Sequence, residues 1–78
     1  MSVYIVNMNT KVLEKLGKNI KRYRKENGLT QDELAAKTGR HQTYIGKLEN
    51  GKINPSVLKL FLISRALKIK LSSLFDFD

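Results

Sequence analysis

The sequence predicts an all-α fold, on three observations. Apolar residues recur at three- and four-residue steps, glycines close the runs that carry them, and a Thr-x-x-Glu pair opens one of those runs as a capping box. From Lys11 to Asn27 the stripe is Leu13, Leu16, Ile20 and Tyr23, with Gly28 as the stop. Thr30 and Glu33 then open a second helix over Gln31 to Thr38, with Leu34 and Ala35 on its inner face, and Gly39 ends it. A third helix runs from Gln42 to Glu49 and is closed by Gly51. Asn54-Pro55-Ser56 is a turn, and Pro55 suits the start of a fourth helix, whose core stripe is Val57, Leu60, Ile63, Ala66 and Leu67. Residues 71–75, LSSLF, read as a short fifth helix capped by Ser72. Ahead of this body (residues 10–78), residues 1–9 form an N-terminal extension. Its Val3-Tyr4-Ile5-Val6 run is β-branched and aromatic, hence strand-like.

Seventy-eight residues make one small domain. A chain of that size buries about 60–65% of its unfolded surface, so a partner subunit would add useful apolar burial. With no cysteine, neither disulfides nor a thiolate metal site can contribute. His41 is the only histidine, the seven acids show no paired or metal-ligand spacing, and no glycine-rich phosphate loop is present. An enzyme is therefore not expected, nor is a cofactor. No run approaches the ~20 apolar residues of a membrane span, and no secretory signal opens the chain, so a cytoplasmic protein is expected.

The charge is lopsided: 15 Lys and Arg against 7 Asp and Glu, a net charge of +8. Such a chain is drawn to polyanions, either nucleic acid or an anionic membrane face. Seven of the cations lie between Lys11 and Lys25, where they also fit a plain solvated helix face.

The third helix is more informative. On a wheel of about 100° per residue, Gln42, Thr43, Gly46, Lys47 and Asn50 share one side, while Ile45 and Leu48 share the other. Amide, hydroxyl and ammonium groups are the chemistry that reads base edges: glutamine pairs with adenine, lysine donates to guanine, and threonine reaches a donor or a thymine methyl. Any surface helix has a polar face, and Gly46 could simply be tolerated there. The preceding helix, however, makes a two-turn helix, a glycine turn and a second short helix, which is the helix-turn-helix layout.

Residues 28–56, GLTQDELAAKTGRHQTYIGKLENGKINPS, resemble the lambda-repressor-like (Xre, Cro/CI-type) helix-turn-helix family. The resemblance runs from about Val12 to Phe75. Its markers are Leu29-Thr30-Gln31, Glu33-Leu34-Ala35, Gly39, Tyr44-Ile45, Leu48-Glu49, Gly51 and Asn54-Pro55-Ser56. Within the family, residues 41–56 are most similar to the small controller proteins of restriction–modification systems. The sequence departs from the pattern at Arg40, usually apolar, and at His41, often a small cap residue. The resemblance implies a compact five-helix domain in which Gln42, Thr43, Gly46 and Lys47 face bases. It also implies that Gln31, Tyr44, Asn50, Lys52 and Asn54 hold phosphates, and that Arg24 and Glu49 form an inward-leaning ion pair.

The function expected is a sequence-specific, autoregulatory transcriptional regulator acting on double-stranded DNA, with no small-molecule effector. One domain offers too few side chains for a unique site, so a homodimer on an inverted repeat is expected. Leu58, Phe61, Leu62, Leu74 and Phe75 supply apolar groups beyond the core stripe for its interface. Two other readings stay open: a protein-interaction module, antitoxin-like, on the same fold, and RNA or membrane binding through Lys15, Lys18 and Arg22 of the first helix.

Overall fold

The computed structural model describes residues 3–77, with side chains from residue 10 to 77. Four helices, α1 (Val3–Glu26), α2 (Gln31–Thr38), α3 (Gln42–Glu49) and α4 (Val57–Ala66), precede a 3-10 turn at Leu71–Phe75. The domain is all-α, but it has four helices and a 3-10 turn rather than five helices. Five residues are too few to develop an α-helical ladder. The segment closes instead through tighter bonds, Ser73 N–H to the Lys70 carbonyl at 3.0 Å and Asp76 N–H to that of Ser73 at 3.4 Å. Ser72 does not cap it; Lys70 precedes the turn, with no side-chain cap bond.

The strand-like reading of Val3–Val6 is corrected in the same way. Those residues are the opening turns of α1, which continues unbroken past residue 10. β-branched residues lose only a few tenths of a kcal/mol in a helix, whereas a strand needs a partner strand, and none exists among the described residues. A helix already nucleated further along propagates through them. Met1 and Ser2 of the expected extension lie outside the described residues.

The remaining ends follow their local signals closely. Thr30 accepts from the Glu33 amide at 3.1 Å, and the Glu33 carboxylate accepts from the Thr30 amide at 2.9 Å, completing the capping box of α2. Those bonds, from the Thr30 backbone first and then its side chain, hold the Glu33 carboxyl below the usual carboxylate range. Gly39, at φ 67°, makes the left-handed turn between α2 and α3. α4 starts two residues later than Pro55 suggests, at Val57: Ser56 is its cap, accepting from the Lys59 amide at 3.2 Å.

Leu16 and Ile20 of α1, Leu34 and Ala35 of α2, Ile45 and Leu48 of α3, and Leu60, Ile63 and Leu67 at α4 form the core with Leu74. Leu13 and Tyr23, expected in the α1 stripe, are half-buried, as is Ala66. Val57 leaves the expected stripe and is 72% exposed. Leu74, expected at a subunit interface, is fully buried. The 3-10 turn is held against α1 by the Asn19 amide, which donates to the Leu74 carbonyl at 3.0 Å. A second amide, Asn27, donates to the Leu67 carbonyl at 3.1 Å and ties the end of α1 to that of α4.

α3 is pressed end-on against α1. A Cβ placed on Gly17 would lie 2.5 Å from the carbonyl oxygens of both Leu48 and Glu49. One turn away, Gly51 approaches α1 in return: its φ is +70°, and a Cβ there would lie 2.9 Å from Glu14 Cα. The last turn of α3 can therefore touch the α1 backbone only because both surfaces lack a side chain. Gly46 differs, since a Cβ there would meet the Gln31 amide at an ordinary 3.6 Å.

Alanine at these two helical glycines should consequently have opposite effects. Gly17→Ala gains roughly 1 kcal/mol of helix propensity but forces two backbone segments apart, and overpacking of that kind costs about 1–3 kcal/mol or more. A net loss of stability is expected. Gly46→Ala meets no obstacle and should gain about 0.5–1 kcal/mol. Urea unfolding of the two variants checks this; equal shifts of the same sign would contradict it.

Candidate nucleic-acid interface

α3 presents its outer face much as the wheel predicts. Gln42, Thr43 and Lys47 are exposed, Gly46 is half-buried between them and α2, and Ile45 and Leu48 are in the core. Asn50, Lys52 and Asn54 are exposed beyond the end of α3. The α3 end itself is fixed by two bonds, Lys52 N–H to the Lys47 carbonyl at 2.9 Å and Gly51 N–H to that of Leu48 at 3.2 Å. At the opposite end His41 is the cap residue, but its side chain makes no cap bond. The departure from a small polar cap at this position thus leaves the first amides of α3 without a side-chain acceptor.

Beneath this face lies an ion pair. Arg24 of α1 donates to both carboxylate oxygens of Glu49, from Nε to Oε2 at 2.6 Å and from a terminal nitrogen to Oε1 at 3.1 Å. The two side chains are 9% and 2% exposed. The third branch of the guanidinium donates to the Leu29 carbonyl at 2.7 Å, in the segment joining α1 to α2. Glu49 is not occupied by Arg24 alone. Gln31, the first residue of α2, donates from Nε2 to Glu49 Oε1 at 3.0 Å, and its own Oε1 accepts from Gln42 Nε2 at 2.6 Å. A continuous series of hydrogen bonds therefore runs from a buried guanidinium to the first residue of the exposed helix.

Tyr44, expected at a phosphate, is half-buried beside the exposed Thr43. Its ring packs against the core, and its hydroxyl is buried with no hydrogen-bond partner among the described residues. Burial raises the phenol above its usual range, opposed by the nearby Arg40 charge. The Arg40 guanidinium and the Lys59 ammonium lie over the ring at 6.0 and 5.3 Å.

Gln42, Thr43, Gly46 and Lys47 thus share one surface with Asn50 and Lys52 at its margin, and Gln31 touches it from α2. Sequence reading missed three features of this arrangement: the close approach at Gly17, the bridging amide of Gln31, and the inward turn of the Tyr44 hydroxyl. Gly17 was signalled weakly, lying between Leu16 and Ile20 on the stripe that faces the core. The two glutamines, 11 residues apart on either side of a glycine turn, carried no such signal.

A glycine-turned helix pair whose second member exposes this polar and basic set is a DNA-binding helix-turn-helix, and the protein is a transcriptional regulator of that class. Residues 20–74 match the Helix-turn-helix (HTH_3) family, the Xre/Cro-CI group, and the chain belongs to it. It is similar to the control protein C.MunI of a Mycoplasma species, 42% identical over 63 residues covering 80% of this chain and 85% of that one. The crystal structure of the restriction-modification controller protein C.AhdI from Aeromonas hydrophila superposes with a TM-score of 0.79. It is 33% identical, over 81% of this chain and 96% of that one. SinR, the master regulator for biofilm formation, solved in complex with DNA, superposes with a TM-score of 0.73. The identity is 39%, over 78% of this chain and 98% of that one.

The ion pair generates a prediction of its own. Removing one partner strands a charge in a site with little water, a loss of about 3–5 kcal/mol, whereas removing both strands none. Arg24→Met and Glu49→Leu should each destabilise more than the double variant. Thermal melts of the three proteins measure this, and additive losses would show that the two residues do not act as a unit.

Proposed function

We propose that the protein is a sequence-specific, autoregulatory regulator that binds an inverted-repeat operator as a homodimer, with α3 in the major groove. The observation that carries this reading is the exposed face of α3, where Gln42, Thr43 and Lys47 stand together on a helix braced from within. Gln42 and Lys47 would bond base edges, Thr43 would meet a donor or a thymine methyl, and Gly46 would let the helix backbone approach the groove floor. Gln31, Asn50, Lys52 and Asn54 would hold phosphates on either side. Gln31 retains a second amide hydrogen for that purpose, since Nε2 spends only one on Glu49.

The homodimer is supported by a cluster of exposed apolar side chains on a small domain: Leu58, Phe61 and Leu62 on α4, and Phe75 on the 3-10 turn. Phe61 and Phe75 are each more than 40% exposed, a poor arrangement for a monomer in water. Two domains related by a two-fold axis would set their α3 helices about 34 Å apart, in successive major grooves. Autoregulation then needs no effector: dimer formation rises steeply with concentration, so the protein's own level sets operator occupancy. The likeness to restriction-modification controller proteins supports a regulator of that kind.

Titration of variants against randomised duplexes at several salt concentrations tests the assignment. Ala at Gln42, Thr43 or Lys47 should remove about 1–3 kcal/mol at one base pair and relax the preference there. Ala at Asn50 or Lys52 should weaken all sequences nearly alike, and only Lys52→Ala should also reduce the salt slope, by about one unit per protomer. If Gln42→Ala and Lys47→Ala leave the selected sequence unchanged, α3 is not the reader. In sedimentation the native chain should run as a dimer and Leu62→Glu as a monomer; a dimer persisting in that variant would move the interface off α4.

A further inference from the structure

We infer that the outer face of α1 is a second DNA-binding surface, one that holds the phosphates of a second duplex segment while α3 occupies the first. The inference goes beyond the reading of α3 and stands on different residues.

Lys18, Lys21, Arg22 and Lys25 line one shallow hollow on α1 together with a single acid, Glu26. That carboxylate is taken by Arg22, at 3.3 Å. Lys18, Lys21 and Lys25 are exposed, and none of them pairs with a carboxylate among the described residues. Opposite charges three and four residues apart steady a helix, and like charges there weaken it. Lys18 stands three residues from Lys21 and four from Arg22, and Lys25 stands four and three from the same two. The helix dipole favours cations only within the last turn, which accounts for Lys25 but not for Lys18 or Lys21. The isolated domain therefore carries a self-repelling cluster that its own fold does not neutralise. A polyanion laid across it would.

On a wheel of about 100° per residue, Lys11, Lys18, Arg22 and Lys25 fall within about 60° of one another, with Lys21 about 40° beyond. The row they make is about 21 Å long. From Lys11 to Lys25 no apolar residue enters that arc. A helix that lies in a membrane surface buries an apolar face, and this one has none to bury. Single strands are held by stacking on exposed rings. The ring adjoining the hollow, that of Tyr23, is half-buried and lies under the Arg22 guanidinium at 4.4 Å. A duplex needs neither feature, and it offers one phosphate charge per about 1.7 Å of its axis. The row also lies about 100° around α1 from Gly17, where α3 is seated. A duplex is stiff over about 150 base pairs, so the one on α3 does not bend round to the row. A second segment has to meet it.

The test uses the full chain and two duplexes with different dyes, the operator selected by the native protein and a random-sequence duplex of the same length. With protein and operator matched in concentration, the native chain should join both dyes in one complex. Lys18→Gln combined with Lys21→Gln should lower that coincidence about tenfold or more and take about two units from its salt slope. Operator affinity should stay within about twofold, because α3 is untouched. The melting temperature of this variant should rise, since repulsion along α1 is relieved, so unfolding does not explain the loss. Lys52→Ala, once saturating on the operator, should leave coincidence unchanged.

Unchanged coincidence in the double variant would overturn the inference. An equal fall in operator affinity would do the same, because both lysines would then belong to the footprint of α3. So would capture of single-stranded RNA, or of phosphatidylserine vesicles, as readily as of the second duplex. Should the native protein select no operator, the reading of α3 fails instead, and two random-sequence duplexes give the same readout for α1.

Discussion

The contact on which the rest of this structure depends is the seat of α3 on α1, where a buried ion pair and a backbone-to-backbone approach meet within one helical turn. Leu48 and Glu49 bring their carbonyl oxygens onto Gly17, while the Glu49 side chain turns to Arg24. Arg24 also holds Leu29, and Glu49 also holds Gln31, so the first three helices converge on two side chains. A buried ion pair is not in itself a strong source of stability, because desolvation offsets most of the attraction. Its distinctive property is intolerance of misplacement: a shift of α3 along α1 would leave charges unpaired, where an oily contact would slide. For a helix whose exposed face is set by its seat on α1, position counts for more than raw stability.

The apolar core is small, and it divides the labour differently. α4 and the 3-10 turn add Leu60, Ile63, Leu67 and Leu74 beneath α1 and α2, and the two asparagine amides fasten their carbonyls to α1. That side of the molecule is left with Leu58, Phe61, Leu62 and Phe75 in water. The polar face of α3 is braced from within, whereas the apolar α4 face is left partly in water, with the Arg65 guanidinium 5.9 Å over the Phe61 ring. The asymmetry follows from size, since a chain this short cannot bury all its apolar side chains against itself.

Much of this is legible in the sequence, and the division between what is and is not follows range. The bounds of α2 and α3 come from caps and glycines within a few residues, and α3 ran from Gln42 to Glu49 as the pattern indicated. Which side of α3 faces outward is a matter of period alone. Features that depend on partners far along the chain were missed or misread. Leu74 and Phe75 are both apolar neighbours, and it is packing against α1, to which Asn19, 55 residues away, ties the Leu74 carbonyl, that distinguishes them. Val3–Val6 carries a strand composition yet lies in a helix nucleated elsewhere. The Arg24–Glu49 pair was anticipated through the family resemblance and not through any spacing. Glycine also fails as a marker at α4, where Lys68 takes the left-handed position at φ 61° that glycine takes after the other three helices.

The two glycines inside helices show how far the fold alone can explain this sequence. Each costs roughly 1 kcal/mol of helix propensity against alanine. At Gly17 the packing explains the choice, because no side chain fits between α1 and the end of α3. At Gly46 it does not: a methyl group would rest in ordinary contact with Gln31, and the domain would fold at least as well with alanine. The reason for a bare position there has to lie outside the isolated domain, on the face where Gln42, Thr43 and Lys47 stand. Without a side chain, the α3 backbone can come nearer to whatever it meets. The fold therefore accounts for one glycine and not for the other, whose account under the proposed function would be the approach of α3 to DNA.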